Sequence, residues 1–140
     1  MILQYRVQDY NLQRCSIASV IPDSDSLKKQ NRELHFLKDS MYLDIWMLDA
    51  SAGELDLTTL SWNTLPKRKG FLSSLLVQKN RHTHTREFEC APASTLMIFE
   101  LSCPEDATEE CAIEFWQEQP ETDPRMGEQL LYITCHIHSD

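Results

Sequence analysis

"MYLDIWMLD", residues 41–49, alternates without becoming amphipathic: Leu43, Ile45 and Met47 stand opposite Tyr42, Trp46 and Leu48, and both sets are apolar. A strand at the surface of a sheet keeps one polar face, so a strand apolar on both sides reads as a central one covered twice, or as one whose second face meets a partner. Upstream, "LQYRVQ" (3–8) shows the half-buried pattern, with Leu3, Tyr5 and Val7 alternating with Gln4, Arg6 and Gln8, and "CSIASVIP" (15–22) repeats it up to Pro22. Downstream come "TLMIFELSC" (95–103), "CAIEFWQE" (111–118) and "QLLYITCHIH" (129–138). Short strands broken by turn signals about every ten to fifteen residues predict an all-β, antiparallel β-sandwich of jelly-roll type, not a parallel α/β sheet. Helix is limited to one or two short pieces. Asp25 or Ser26 could cap one over 27–34, and "AGELDLTTL" (52–60) and "FLSSLLVQ" (71–78) could each add a helical turn.

The 140 residues fit a single domain, 1–140, large enough to bury a core without metal or disulfides. The chain is 41% hydrophobic and 25% charged, with no apolar run of membrane-spanning length. Gln4, Arg6, Gln8 and Asp9 interrupt the only window for a signal sequence, which makes the cytoplasm the nominal compartment and the extracellular space the alternative. With 22 acidic against 13 basic side chains the net charge is -9, which disfavours nucleic acid and anionic membranes as partners. The basic runs "PKRKGF" (66–71) and "KNRHTHTR" (79–86) read as solvated loops. Five cysteines, Cys15, Cys90, Cys103, Cys111 and Cys135, are an odd set, read first as reduced and mostly buried thiols. Cys103 and Cys111 could nevertheless face each other across the mouth of a hairpin and form a bridge.

"TTLSWNTLPK" (58–67) is expected to be a strand that ends in a turn: Trp62 buries its ring, Asn63 starts an Asx-type turn, and Pro66 stops the ladder. An apolar strand ending in Asp, an acidic connection, Ser61-Trp62-Asn63-x-x-Pro66, "TREFEC" (85–90) and a closing "QLLYIT" (129–134) follow one another in an order that resembles the DNRLRE-type β-sandwich family in a divergent, fungal-like form. The resemblance implies a jelly-roll-like sandwich that accompanies polysaccharide-active proteins as a binding module, with no catalytic residue to carry over. The chain departs from that family in having few glycines and a Cys-Pro-acidic-Cys hairpin.

Chemistry-bearing residues are sparse. His82 with His84, and His136 with His138, are spaced so that each pair shares a strand face and could offer two imidazoles to Zn, Cu or Ni; the plain alternative is the polar face of a strand. No cofactor is expected. Acidic clusters at Asp44, Asp49, Glu54 and Asp56 and at Glu105, Asp106, Glu109 and Glu110 suit a solvated negative face better than a calcium loop. Aromatic residues are more telling. Trp116, on a face with Ala112 and Glu114, is the leading stacking platform, with Gln117, Asp123 and Arg125 as a polar rim, and Trp46 is a second candidate. The sequence therefore points to a non-enzymatic recognition protein with a carbohydrate ligand, lectin-like or carbohydrate-binding-module-like. The alternatives are a protein-interaction or structural homodimer and a small carboxylate-dependent hydrolase.

Overall fold

The computed structural model describes residues 1–7, 13–21, 35–36, 39–56, 58–107, 111, 113–114 and 131–136, with 35–36, 113–114 and 131–136 described by their backbone. The strands are β1 (Ile2–Arg6), β2 (Arg14–Val20), β3 (His35–Phe36), β4 (Ser40–Leu48), β5 (Arg68–Gln78), β6 (His82–His84), β7 (Phe88–Glu89), β8 (Leu96–Ser102), β9 (Ile113–Glu114) and β10 (Leu131–His136). There is no helix among the described residues, and none long and apolar enough to cross a membrane. The expected turn of helix in 71–78 is instead the second half of β5. Its run "LSSLLVQ" sends Ser73, Leu75 and Val77 inward in strand alternation, a period that a helix could not use to bury the same set. The described residues of 52–60 form turns and no helix where a helical turn is expected, and 27–34 lies outside the described residues.

The fold is all-β and sandwich-like. One antiparallel sheet has the order β1-β8-β4-β5; a second runs β10-β2-β6, with β7 also pairing β2; β3 and β9 form a small third pair. The doubly apolar strand read from the sequence is central: β4 lies between β8 and β5, pairing Ile45 with Leu101 and Leu43 with Leu75. Leu3, Met41, Leu43, Ile45, Leu75, Val77, Met97, Phe99 and Leu101 from the first sheet pack with Ile17 and the following Ile21 from the β2 side. Burying such side chains stabilises by about 1.5–3 kcal/mol each before chain entropy is subtracted. Phe99 is the hub, with Tyr5 and Phe88 edge-on or tilted against it at 6.5 and 6.0 Å between ring centres. Burial pushes the Tyr5 phenol up to about 12.

Cysteine usage departs from the first expectation. Cys15 and Cys90 are bridged, joining β2 to the residue that follows β7, and Cys103 is bridged to Cys111 as the hairpin spacing allows. The thiols are therefore not free: β7 pairs with the start of β2, Cys15 with Phe88, and this brings Cys90 within a Cα–Cα distance of 5.2 Å, inside the range a disulfide spans. Cys135 lies on β10 in register with Cys15.

Candidate functional site

The β4–β5 connection, 49–67, is long for a hairpin, and its local chemistry explains how it holds shape. Asp49 N–H donates to Lys67 O at 2.9 Å and closes the base. Asp49 and Asp56 each accept hydrogen bonds from residues two further on, Ser51 N–H at 3.0 Å and Thr58 N–H at 2.9 Å, the Asx geometry that makes Asp a turn former. Those bonds, from Ser51 and Thr58 first of all, hold both carboxyls below their usual range. Gly53 takes a φ of 88°, in the left-handed region open to glycine. The loop then lies over β1: Leu55 N–H donates to Gln4 Oε1 at 2.7 Å and Arg6 pairs with Glu54 at 3.4 Å. Gln4 is the register partner of Ile98, which is fully buried although it alternates with the inward-facing Met97 and Phe99. The outer face of β8 is thus covered here as well.

The segment 58–67 is not a strand with a buried tryptophan. It consists of turns, and Trp62 is 88% exposed. Asn63 does not build the turn; Ser61 and Thr64 do. Thr64 N–H donates to Ser61 O at 3.0 Å, and Ser61 N–H donates to Thr64 Oγ1 at 2.9 Å. This reciprocal closure satisfies the backbone locally, so the indole at its tip is free to point outward. A large apolar ring held on a closed turn, away from the core, is the feature that sequence reasoning missed. Its signal was the hydroxyl pair flanking Trp62, which marks a turn.

Beneath Trp62 the surface is concave. One cleft of about 250 Å³ is lined by Met1, Ile2, Leu60, Ser61, Trp62, Leu65 and Glu100. A second of about 330 Å³ shares Met1, Trp62 and Glu100 and adds Leu43, Leu101, Ser102 and the Cys103 and Cys111 bridge. Glu100 is 6% exposed, and its carboxylate accepts from Arg68 Nε at 2.7 Å and Nη2 at 2.8 Å. The Arg68 guanidinium beside it holds the carboxyl below its usual range, and Glu100 raises the arginine in turn. Burial lowers the Met1 ammonium, which donates to Leu101 O at 2.8 Å. The Glu100 carboxylate is thus matched by Arg68 while the Met1 ammonium stands as a second cation nearby, and what the clefts present to a ligand is an indole face, aliphatic walls, a paired carboxylate and an ammonium group.

The residues expected from sequence are distributed as follows. Trp46 is half-buried: Arg68 stacks 4.5 Å above its ring and Phe71 meets it in a T-shaped contact at 5.2 Å, so the indole already has protein partners. Trp116, Gln117, Asp123, Arg125 and His138 lie outside the described residues. His82 and His84 are exposed on β6, opposite Val20 and Ala18 of β2, while His136 of β10 is opposite Arg14. The four-residue offset between Ala18 and Arg14 is ~13 Å along a strand, and β2 separates the two histidine strands, so the backbone at His136 lies away from that at His82 and His84. Among the described residues no three metal-ligating side chains cluster. Asp44 accepts from Ser74 Oγ at 2.7 Å, and among the described residues each cleft has Glu100 as its one carboxylate.

No protein-family model matches this chain, and neither does any curated protein or solved structure.

Proposed function

We propose that the chain is a non-enzymatic recognition protein that binds carbohydrate in the cleft beneath Trp62. The observation that carries this reading is the 88% exposed indole standing on a hydrogen-bonded turn at the junction of two clefts. A pyranose has one face rich in C–H groups and hydroxyls around its rim. It matches an indole platform flanked by aliphatic side chains, with the Glu100 carboxylate and the Met1 ammonium as polar partners for its hydroxyls. The resemblance to DNRLRE-type sandwich domains accords with this reading. Trp116, with Gln117, Asp123 and Arg125, remains a second proposed contact. The two disulfides favour the extracellular alternative over the cytoplasm, since bridges persist in oxidising compartments.

A glycan array probed with the wild type, Trp62→Ala and Trp116→Ala tests the proposal. Selective binding lost in Trp62→Ala supports it, loss only in Trp116→Ala moves the site, and silence of a folded wild type overturns it for the glycans displayed.

The homodimer reading has its own observation. Tyr42 and Phe71 are 58% and 48% exposed on the outward side of the β4–β5 pair, beside Trp46. Sedimentation of the wild type against a Tyr42→Ser/Phe71→Ser double variant tests it: a wild-type dimer that becomes monomeric in the variant supports this face as the interface.

A further inference from the structure

The two disulfides sit in opposite environments. Cys15 and Cys90 are 0% and 8% exposed, whereas Cys103 is exposed and Cys111 half-buried, lining the second cleft together with Trp62. The short loop they close, with a sequence separation of 8, carries the tight turn in which Ala107 N–H donates to Pro104 O at 3.1 Å. Cys111 also packs against the edge of the hydrophobic core. Thiol–disulfide exchange needs a line of approach to a sulfur, so access selects which bridge reacts.

We infer that the Cys103–Cys111 bridge is a redox latch on the Trp62 cleft, opened by a dithiol reductant while the Cys15–Cys90 bridge stays closed. The inference rests on the reading of that cleft as the binding site. The reductant's thiolate attacks the exposed Cys103 sulfur; the Cys103–Cys111 bond breaks, and Cys111 leaves as a thiolate that takes up a proton. The reductant's second thiol then attacks its own sulfur in the mixed disulfide, releasing Cys103 as a thiol and closing the reductant into a disulfide. Two electrons pass to the protein, and Cys111, which lines the cleft with Trp62, is no longer tied to Cys103 beyond the end of β8. Of the two bridges, only this one is both accessible and part of the cleft.

Graded dithiothreitol applied to the native full chain, followed by alkylation and peptide mapping, tests the chemistry. Acrylamide quenching of tryptophan emission, compared between wild type and Trp62→Phe, tests the cleft. Alkylation of Cys103 and Cys111 at a dithiothreitol concentration roughly tenfold below that needed for Cys15 and Cys90, with a change in the Trp62 contribution to quenching, is the expected result. A Cys103→Ser/Cys111→Ser variant should show the same quenching without reductant. Simultaneous opening of both bridges, or selective opening with no change at Trp62, would overturn the latch. Neither readout requires a sugar, so a silent glycan array removes the carbohydrate reading without touching this result, and a failed latch leaves the array result standing.

Discussion

Arg68 grips Glu100 with two hydrogen bonds, at 2.7 and 2.8 Å, while its guanidinium plane lies 4.5 Å from the centre of the Trp46 ring. Trp46 is the register partner of Glu100 on β8 and of Phe71 on β5, so one side chain from the start of β5 ties three adjacent strands together across the outer face. The register shifts in the β4–β5 ladder, between Ile45 and Trp46 and between Met47 and Leu48, accompany this arrangement.

Replacing Arg68 by Lys keeps the charge and loses the fork and the stacking plane, so it is not conservative here. Arg68→Lys should lower stability by about 1–2 kcal/mol and Arg68→Ala by about 2–3 kcal/mol, the latter because a nearly buried carboxylate loses its partner. Urea unfolding of the three proteins measures the order; equal stability of Lys and Arg would show that only charge matters at this site.

Acid should weaken the same contact. The Arg68 hydrogen bonds depress the folded-state pKa of Glu100 below its unfolded value, so the stabilisation is complete above the ordinary glutamate range. It drains away as pH falls through that range toward the folded value. The stability gap between wild type and Glu100→Gln should therefore be wide at neutral pH and narrow progressively as pH falls through and below the ordinary glutamate range. A gap of constant width over that span would remove Glu100 from the list of groups that drive acid unfolding.

Thr85 and Ser19 form a natural contrast in buried hydroxyls. Ile17 N–H donates to Thr85 Oγ1 at 3.0 Å and Thr85 N–H returns a bond to Ile17 O at 2.9 Å, which carries the β2 ladder across the gap between β6 and β7. Ser19 Oγ is buried with no hydrogen-bond partner among the described residues. Thr85→Val should cost about 1–3 kcal/mol by stranding the Ile17 donor, while Ser19→Ala should be neutral or stabilising by up to about 1 kcal/mol. Thermal unfolding of both variants gives the answer, and a large loss in Ser19→Ala would mean that its hydroxyl has a partner after all.

Much of the fold was legible because strands advertise themselves by alternation. The alternating apolar residues of 3–7 and 41–47 are core-facing in and beside β1 and β4, whereas β2, read as half-buried, is buried on both faces, with Ser16 and Ala18 as enclosed as Cys15 and Ile17. What alternation cannot encode is which long connection folds back and which way its side chains face. Leu55 and Trp62 belong to the same loop, yet one lies against β1 and the other projects into solvent, because that choice is made by Gln4 and by the Ser61–Thr64 closure. The Cys15–Cys90 bridge was hidden for a related reason. It spans 75 residues, and it arises from the pairing of β7 with β2, a tertiary fact.

The bridges should differ in their worth as well as their reactivity. On the chain-entropy account, closing a loop of 75 residues stabilises by ~4.5 kcal/mol and one of 8 residues by ~2.5 kcal/mol. A Cys15→Ser/Cys90→Ser variant should therefore lose more stability in guanidinium than Cys103→Ser/Cys111→Ser, and the buried site of the first adds packing loss to the difference. The opposite ranking would mean that the short bridge organises residues well beyond its own loop.

The edge of the first sheet is blocked by side chains, which bears on how two copies could meet. β5 ends the order β1-β8-β4-β5, and the carbonyls of Leu72, Ser74 and Leu76 along it each accept from a side chain. Arg86 donates to Leu72 O from Nε at 3.3 Å and Nη2 at 3.0 Å, Ser73 Oγ donates to Ser74 O at 3.2 Å, and Thr83 Oγ1 donates to Leu76 O. An open edge is a template for another strand, and occupying its acceptors removes that option. An Arg86→Ala/Thr83→Val variant frees two of the three acceptors without touching the core set, so it should self-associate at concentrations where the wild type does not. Light scattering over a concentration series reads this directly. If the variant stays as dispersed as the wild type, something other than these side chains protects the edge. If it associates, these side chains are what close the β5 edge to strand addition in the wild type.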